Sequence, residues 1–387
     1  MMAHLFLFFL AGAACLHAQA RDTAAAAAVA HENGKARFAH GDIQGALGAY
    51  RHALKLDPQR ISAHLDLGLA LYQRGDGEGA LTAFRTALRL DPEHAPAHMY
   101  LGALLYSRRD IEGGVRAYRR AIQLDPGLVQ AHSDLGGILF DHGDLAGAIA
   151  ASTQAVELDP KHVLARYNLG LALQKQGDLE AAVQSFRRAL ETDSTYVPAR
   201  YSLALALHEE GDGAGAIAQY RQVVRLTPKH TSAHNNLGYL LYSRGDVIGA
   251  IEFLRRAISL DPKHAQAHFN LGLALKKQGE IDGAITSFRT ALRLRPGYVR
   301  AYNHLGAALY ARGNIPAAVQ AYQQALRLKP DYAGPRFGLA TILQEQGNEA
   351  AAVQQYRTLV RSGDDEHLQR MARQILRALG VELQDRF

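Results

Sequence analysis

The stretch ISAHLDLGLALYQRGDGEGALTAFRTALRLDPEH, residues 61–94, decides the fold, because its pattern recurs along the chain every 34 residues. One repeat position is proline in eight copies: Pro58, Pro92, Pro126, Pro160, Pro228, Pro262, Pro296 and Pro330. Ser194 fills the only gap. Ten repeats therefore start at residues 27, 61, 95, 129, 163, 197, 231, 265, 299 and 333, and positions are numbered 1 to 34 from these residues. Such a period indicates stacked units rather than separate domains.

Each repeat has the pattern of two helices joined by a tight turn. Positions 4, 7, 8 and 11 share one face of a first helix at positions 1–14, as in Leu67, Gly68 and Leu71. Glycine at position 15, such as Gly75, suits a left-handed residue that ends this helix, and aspartate at position 16 can cap the next one. Leu-Asp-Pro at 56–58 stops the second helix, and proline suits the first turn of the following helix. The pattern predicts a helical hairpin.

Small and large residues alternate so that the two helices of a hairpin fit each other. Position 8 is glycine in eight repeats, and position 20 is alanine in nine, from Ala46 to Ala352. Position 24 is aromatic in eight repeats: Tyr50, Phe84, Tyr118, Phe186, Tyr220, Phe288, Tyr322 and Tyr356. We predict that each ring fills the space left by the small residues at positions 8 and 20.

The combination of Leu-Gly at positions 7 and 8, alanine at 20 and 27, an aromatic residue at 24 and proline at 32 resembles the tetratricopeptide repeat (TPR) family. The resemblance covers residues 27 to about 366. It implies an all-α fold, a right-handed superhelical solenoid of ten TPR hairpins. It also implies a concave groove, lined by the first helices, that holds an extended peptide or a helix of a partner.

A solenoid needs polar or covered ends, because each hairpin otherwise buries its faces against neighbours. Asn33 and Arg37 occupy positions that are usually apolar, which suits an exposed first repeat. After repeat ten, which ends near residue 363, the apolar stripe of 364–379 predicts a helix that covers the last hairpin, followed by a tail to residue 387.

The first twenty residues differ from the rest of the chain. Residues 1–20 contain no Asp, Glu, Lys or Arg, and their apolar run from Leu5 to Ala14 is too short to span a bilayer. Ala18-Gln19-Ala20 supplies the small residues that a signal peptidase requires. The pattern predicts a signal peptide cleaved after Ala20 and a periplasmic or secreted protein. Cys15 also permits a lipid anchor.

Composition restricts the chemistry of the chain. Cys15 is the only cysteine, so after cleavage no disulfide and no thiolate metal site is expected. The formal net charge of +6 is spread by the repeat rather than massed, and with export it argues against nucleic acid as a partner. The charge favours, at most, a mild preference for anionic partners.

Function is expected on the first helices, where positions 2, 5, 6, 9, 12 and 13 lie opposite the predicted buried face. Position 6 is asparagine in three central repeats, at Asn168, Asn236 and Asn270. Amides at regular spacing can pair with the backbone of an extended peptide. The first helices in the repeat array of O-linked N-acetylglucosamine transferase look similar in this respect, although no catalytic domain is present here. Alternatively, these asparagines are solvated residues that the repeat tolerates.

Position 12 adds aromatic side chains to the same face: Tyr72, Tyr106, Phe140, Tyr242 and Tyr310. Exposed aromatic residues are favoured anchors for partners, although they can also cover the adjacent helix. Positions 12 and 13 also carry lysines: Lys175 in repeat five, and Lys276 and Lys277 in repeat eight. These lysines make the face locally basic in those repeats. Together with the three asparagines, these residues are the predicted peptide-binding site. The clamp of chaperone-binding TPR domains is not expected, because position 5 lacks lysine and position 6 lacks arginine.

No residue pattern indicates catalysis or a cofactor. Histidines at positions 34 and 4 form pairs at 94/98, 230/234 and 264/268, a spacing that can share a metal ion on a helix. Each pair supplies only two ligands, however, and the repeat itself explains the pairs. The sequence has no phosphate-binding loop, no Gly-x-Ser-x-Gly motif and, after cleavage, no cysteine nucleophile. We therefore expect no metal, no cofactor and no enzyme activity.

Two functional hypotheses remain. The first is a protein-interaction scaffold in the bacterial envelope or outside the cell, which binds through the groove. The second is a structural subunit of an envelope assembly, such as polysaccharide-export or pilus machinery, held by the convex face. That face would present the arginines at positions 25 and 26, including Arg255 and Arg256.

Several packing rules lapse together at the junction of repeats five and six. Ser194 replaces proline, Pro198 enters the next first helix, Ala204 replaces glycine at position 8, and Val223 replaces alanine at position 27. Extra methyl groups at close contacts destabilise a packed interface by about 1–3 kcal/mol. We predict a softer seam between residues 190 and 225.

Overall fold

The computed structural model describes residues 22–381, which are helical throughout, without a β-strand. The predicted signal peptide, with Cys15, lies outside the described residues. The helices are α1 (22–39), α2 (Ile43–Leu56), α3 (Ile61–Gln73), α4 (Gly77–Leu90), α5 (Ala95–Ser107), α6 (Ile111–Leu124), α7 (Val129–His142), α8 (Leu145–Leu158), α9 (Val163–Gln176), α10 (Leu179–Thr192), α11 (Val197–Glu210), α12 (Gly213–Leu226), α13 (Thr231–Ser243), α14 (Val247–Leu260), α15 (Ala265–Gln278), α16 (Ile281–Leu294), α17 (Val299–Ala311), α18 (Ile315–Leu328), α19 (Ala333–Glu345), α20 (Glu349–Ser362) and α21 (Glu366–Ala378).

The odd-numbered helices from α1 to α19 are the first helices of the repeats, and the even-numbered helices are the second. From α3 onward each first helix begins at the residue where the sequence period places a repeat. Only α1 differs, since it is already helical at residue 22, ahead of the expected start at 27. The all-α fold of stacked hairpins is therefore confirmed.

The chain divides into two compact units, with the boundary between Ala206 and Leu207. The boundary lies inside α11, within the stretch where the sequence predicts a seam. In each unit, successive helices pack as antiparallel hairpins, and each second helix also packs against the first helix of the following repeat. First helices of consecutive repeats touch as well, for example α7 with α9 and α13 with α15.

The turn inside each hairpin has the predicted geometry. Position 15 has a positive φ in every repeat; it is glycine in all but one, where Arg109 has a φ of 67°. The aspartate that follows caps the second helix, as in Asp76, whose Oδ1 accepts from the Gly79 amide at 2.9 Å. These two interactions end one helix and start the next within three residues, so the helices of a hairpin lie side by side.

The connection between repeats differs from the prediction in one respect. Pro58 lies in the connecting turn, ahead of the first residue of α3, rather than in the first turn of that helix. Because the backbone turns there, its carbonyl has no helical partner, and the Nε2 of His64 donates to it at 2.9 Å. A side chain at position 4 makes the same bond in seven further connections: His98 to Pro92, His132 to Pro126, Arg166 to Pro160, Arg200 to Ser194, His234 to Pro228, His268 to Pro262 and Arg336 to Pro330.

Histidine at position 34 has a second structural role. The Nδ1 of His94 accepts from the Ala97 amide at 3.2 Å and so caps α5. His162, His230 and His264 cap α9, α13 and α15 in the same way. The recurring histidine pairs are therefore used by the backbone: one member caps a helix, and the other binds a carbonyl in the connection.

Ring-to-glycine packing forms the core of the six hairpins that have both glycine at position 8 and a ring at position 24, as predicted. A Cβ atom on Gly68 would lie 2.4 Å from the Phe84 ring, and one on Gly272 would lie 2.5 Å from the Phe288 ring. Both rings are at most 1% exposed. Only a residue without a side chain lets the ring lie flat against the first helix, so glycine at position 8 sets how closely the helices of a hairpin approach.

The two ends of the described chain differ from the interior. Asn33 and Arg37 on α1 are exposed. At the other end, α21 packs on α19 and α20 and buries Ala372 and Leu376 completely. Gly380, at a φ of 71°, follows this helix.

We expect Ala250→Phe to lower the melting temperature strongly. Ala250 is fully buried at position 20, and its carbonyl lies 3.1 Å from where a Cβ on Gly238 would stand, so no space exists for a ring. Overpacking of this kind costs about 1–3 kcal/mol or more. The matched control is Ala218→Phe on the exposed side of α12, which should change stability by less than about 0.5 kcal/mol. Equal melting temperatures for Ala250→Phe and the wild type would contradict the packing described.

Hydrogen exchange measured by mass spectrometry tests the seam. We expect the backbone amides of α11 and α12 to exchange faster than those of α7, α8, α15 and α16, because several packing positions are substituted together at the junction of repeats five and six. Uniform protection along all these helices would contradict the seam.

Candidate functional site

The first-helix face, formed by positions 2, 5, 6, 9, 12 and 13 of the odd-numbered helices, is less exposed than the sequence suggests. Leu65, Met99 and Phe269 at position 5 are all buried. A helical wheel shows only how its own hairpin covers each first helix. Consecutive first helices also contact each other, so positions 5 and 6 lie between helices and positions 12 and 13 remain the more open part.

The predicted asparagine ladder is not an open row of amides. Asn168 is 9% exposed and donates to the Ser133 carbonyl on the preceding first helix at 3.0 Å. Asn270 is 3% exposed and donates to Asn235 Oδ1 at 3.0 Å. The expectation that these two side chains face solvent is therefore wrong, because the neighbouring repeat covers them and uses their amide groups. Asn236 is half-buried.

In the unit that starts at Leu207, Asn236 and Asn270 belong to a continuous chain of side-chain hydrogen bonds. Each donor-to-acceptor distance is between 2.7 and 3.2 Å. The chain runs from the Tyr298 hydroxyl to Gln266, then to Asn270, Asn235, Asn236 and the Tyr220 hydroxyl. It links three successive repeats, those that start at residues 197, 231 and 265. Because a buried polar group is costly unless it is paired, the chain fixes how consecutive first helices align.

The unit that ends at Ala206 carries carboxylates at the corresponding places. Asp134 accepts from Gln130 Nε2 at 2.7 Å and from the Tyr118 hydroxyl at 3.3 Å. Burial raises the pKa of Asp134 above its usual range, and these two hydrogen bonds oppose the rise. Asp66 pairs with the buried His31 at 2.7 Å. The first-helix face of this unit is therefore polar and locally acidic.

The position-12 aromatic residues are partly exposed and also contact the next repeat. Tyr72 is 42% exposed, whereas Phe140 is half-buried. The remaining three are half-buried and contact the side chain at position 13 of the following first helix. The Tyr106 hydroxyl donates to Asp141, the Tyr310 hydroxyl donates to Glu345, and the Lys277 ammonium lies 5.1 Å from the Tyr242 ring centroid. These three rings therefore contact the neighbouring first helix and remain partly exposed to solvent.

The predicted lysines fall in different surroundings. Lys175 and Lys277 are exposed, but Lys276 is half-buried, and burial lowers the pKa of its ammonium. Close to it, burial together with the positive charges of Lys276 and Arg300 lowers the pKa of His304 to about 4, so this imidazole is neutral at physiological pH.

Sequence reasoning missed the contribution of Arg300 and Phe269 to this region. The Arg300 guanidinium lies 5.4 Å from the Phe269 ring centroid, and that ring lies 5.5 Å from the His304 ring. A signal was available, because Arg300 occupies position 2 of the predicted face and no other first helix carries arginine there.

Within residues 22–381, no three His, Cys, Asp or Glu side chains come together as metal ligands. No helix in the same range is both long and apolar enough to cross a membrane.

The fold has many solved counterparts. A tetratricopeptide repeat protein from Parabacteroides merdae is 18% identical, with a TM-score of 0.51, over 63% of this chain and 97% of that one. Pseudomonas aeruginosa pilF is 22% identical, with a TM-score of 0.50, over 57% of this chain and 97% of that one. MamA is 28% identical, with a TM-score of 0.40, over 42% of this chain and 95% of that one. Among curated protein sequences, none matches this chain.

Family models match the repeats directly. A tetratricopeptide repeat model matches residues 65–129, 133–197 and 269–333, which together make up half of the chain. A TPR repeat model matches 34–75, 205–245 and 238–279, and another tetratricopeptide repeat model matches 309–375. The period, the hairpin geometry and these matches agree, and the chain belongs to the tetratricopeptide repeat family.

Proposed function

We propose that the chain is a non-catalytic scaffold that holds an extended peptide or a helix of a partner protein against its first-helix face. As a tetratricopeptide repeat protein, the chain is a protein-binding repeat protein. Use of the first-helix face, rather than the second-helix face, is the part that we propose. A location in the bacterial envelope or outside the cell stays a prediction from residues 1–20.

The observation that supports this choice is the distribution of aromatic side chains. On the second helices, the rings at position 24 are buried in the hairpin core; Phe84 and Phe288, for example, are at most 1% exposed. On the first helices, Tyr72, Tyr242 and Tyr310 keep solvent-facing surface at position 12. Aromatic side chains supply contact area at low entropic cost, so they are favoured anchors in binding sites.

The alternative, a structural subunit held by its second helices, is favoured by a different observation. Leu158, Leu226 and Leu328 all stand at position 30 of second helices, and each is about 40–50% exposed. The arginines of this surface are exposed and lie on the same helices. A partner that contacts both could hold the chain by this surface.

A peptide-display selection separates the two surfaces. Random peptides are selected on the immobilised protein, and enriched peptides are then titrated against Tyr242→Ala with Tyr310→Ala and against Arg255→Ala with Arg256→Ala. We expect enriched peptides to bind the first variant at least tenfold more weakly, because truncating an aromatic anchor costs about 2 kcal/mol. The second variant should bind as the wild type does.

Circular dichroism and melting curves must show that both variants remain folded. Loss of binding only in the arginine variant would support the structural-subunit alternative and contradict the proposal. Failure to enrich any peptide would contradict peptide binding altogether.

A further inference from the structure

We infer that a basic patch on α15 and α17, formed by Lys276, Lys277 and Arg300, binds an acidic, extended peptide segment of the partner. The inference rests on the proposed function, since it specifies the chemistry of the partner at one part of the first-helix face. It concerns only the unit that starts at Leu207.

The first observation is an uncompensated positive charge. None of the three consecutive first helices α13, α15 and α17 contains an aspartate or a glutamate. Within residues 22–381, no carboxylate oxygen lies within 4.0 Å of Lys276, Lys277 or Arg300, and none of the three donates a hydrogen bond to the protein. Other cations of this unit do have acidic partners, as Arg312 has Asp282 at 2.7 Å.

The second observation is that aromatic rings hold two of these cations in place. The Arg300 guanidinium lies over Phe269, and the Lys277 ammonium lies over Tyr242, 5.1 Å from its ring centroid. A cation over a ring face keeps its N–H donors free at the edge, where a carboxylate can accept them. Side chains that are already positioned lose less conformational entropy when they bind.

The third observation concerns Lys276, which stands at position 12, where six other repeats have phenylalanine or tyrosine. It is half-buried, and burial lowers the pKa of its ammonium. Charge here is costly because water is partly excluded and no carboxylate compensates. A carboxylate from a bound peptide would restore that compensation.

The opposite unit supplies an internal contrast. Its first helices carry Asp66, Asp134 and Asp141 on the same face, at positions 6 and 13. The repeat scaffold therefore does not require basic residues there, and the charge of α15 and α17 is a local feature. The patch also uses positions 2, 12 and 13, so it differs from a clamp built on lysine at position 5.

The patch suits a peptide better than a nucleic acid. Single-stranded nucleic acids bind through open aromatic faces on which bases stack, together with many contacts to phosphates. Here the faces of Phe269 and Tyr242 are occupied by Arg300 and Lys277. In an extended peptide, alternate side chains point the same way, so a run of alternating acidic residues presents several carboxylates along one side to the cations of α15 and α17.

The experiment measures fluorescence anisotropy with a fluorescein-labelled peptide of six Glu-Ser repeats. Six Gln-Ser repeats and an oligothymidylate of similar length are the comparison probes. The test variant is Lys276→Met with Lys277→Met and Arg300→Met, which removes three charges but keeps most of the aliphatic surface. The matched control is Arg255→Met with Arg256→Met and Arg289→Met, which removes three unpaired, exposed charges from second helices.

We expect the Glu-Ser peptide to bind the wild-type protein, and to bind the test variant about tenfold more weakly, since three partly desolvated charge contacts are lost. The matched control should change its Kd less than twofold. Higher salt should weaken the binding to the wild type more than the binding to the test variant.

Three results would overturn the inference: equal binding of the Gln-Ser peptide, an equal loss in the matched control, or oligothymidylate binding that is as tight and depends on the same three residues. The proposed function can fail separately. If library-selected peptides depend on Tyr242 and Tyr310 but are neutral and insensitive to the three methionine substitutions, the acidic-peptide inference is wrong and the proposed function stands. If no selected peptide depends on the first helices, the proposed function is wrong as well.

Discussion

The contact between the aromatic ring at position 24 and the bare backbone at position 8 is the interaction on which the rest of the structure depends. A single Cβ on Gly272 would come within 2.5 Å of the Phe288 ring, so glycine is what allows the two helices of a hairpin to lie so close together. The short turn has a left-handed residue and an aspartate cap, and it holds the two helices side by side at that spacing. Within each unit, consecutive first helices contact each other and form a common face.

That side-by-side contact creates a second layer of interactions, which is polar. Position 6 packs against the preceding repeat, so a buried polar residue there needs a partner inside the protein. Asn270 donates to Asn235, and Asn168 donates to a backbone carbonyl. Asp134 accepts hydrogen bonds from Gln130 and Tyr118. Histidines also form hydrogen bonds with the backbone. Those at position 34 cap first helices, and those at position 4 donate to the proline carbonyls of the connections. Residues that look like site chemistry in the sequence are thus largely used to align repeats.

The proposed binding uses positions 2, 12 and 13, which are more open than positions 5 and 6. At positions 2, 12 and 13 the side chains vary from repeat to repeat, while the scaffold beneath them is constant. The first helices of one unit place Asp66, Asp134 and Asp141 there or nearby, and those of the other place Lys276, Lys277 and Arg300. One backbone geometry therefore carries an acidic cluster on the first helices of one unit and a basic cluster on those of the other, and the proposed binding of an acidic peptide uses the basic cluster.

The sequence by itself determined the repeat, the bounds of nearly every helix, the turn geometry and the ring-to-glycine core, because these follow from contacts within about one repeat. The sequence analysis assigned proline to the first turn of a first helix, whereas the structure has it in the connecting turn before that helix. The sequence pattern does not distinguish these two kinds of turn. The exposure of Asn168 and Asn270, and the pairing of Arg300 with Phe269, were decided only by the tertiary structure. These features depend on how closely one first helix approaches the next, and a helical wheel drawn for a single helix contains no information about that neighbour.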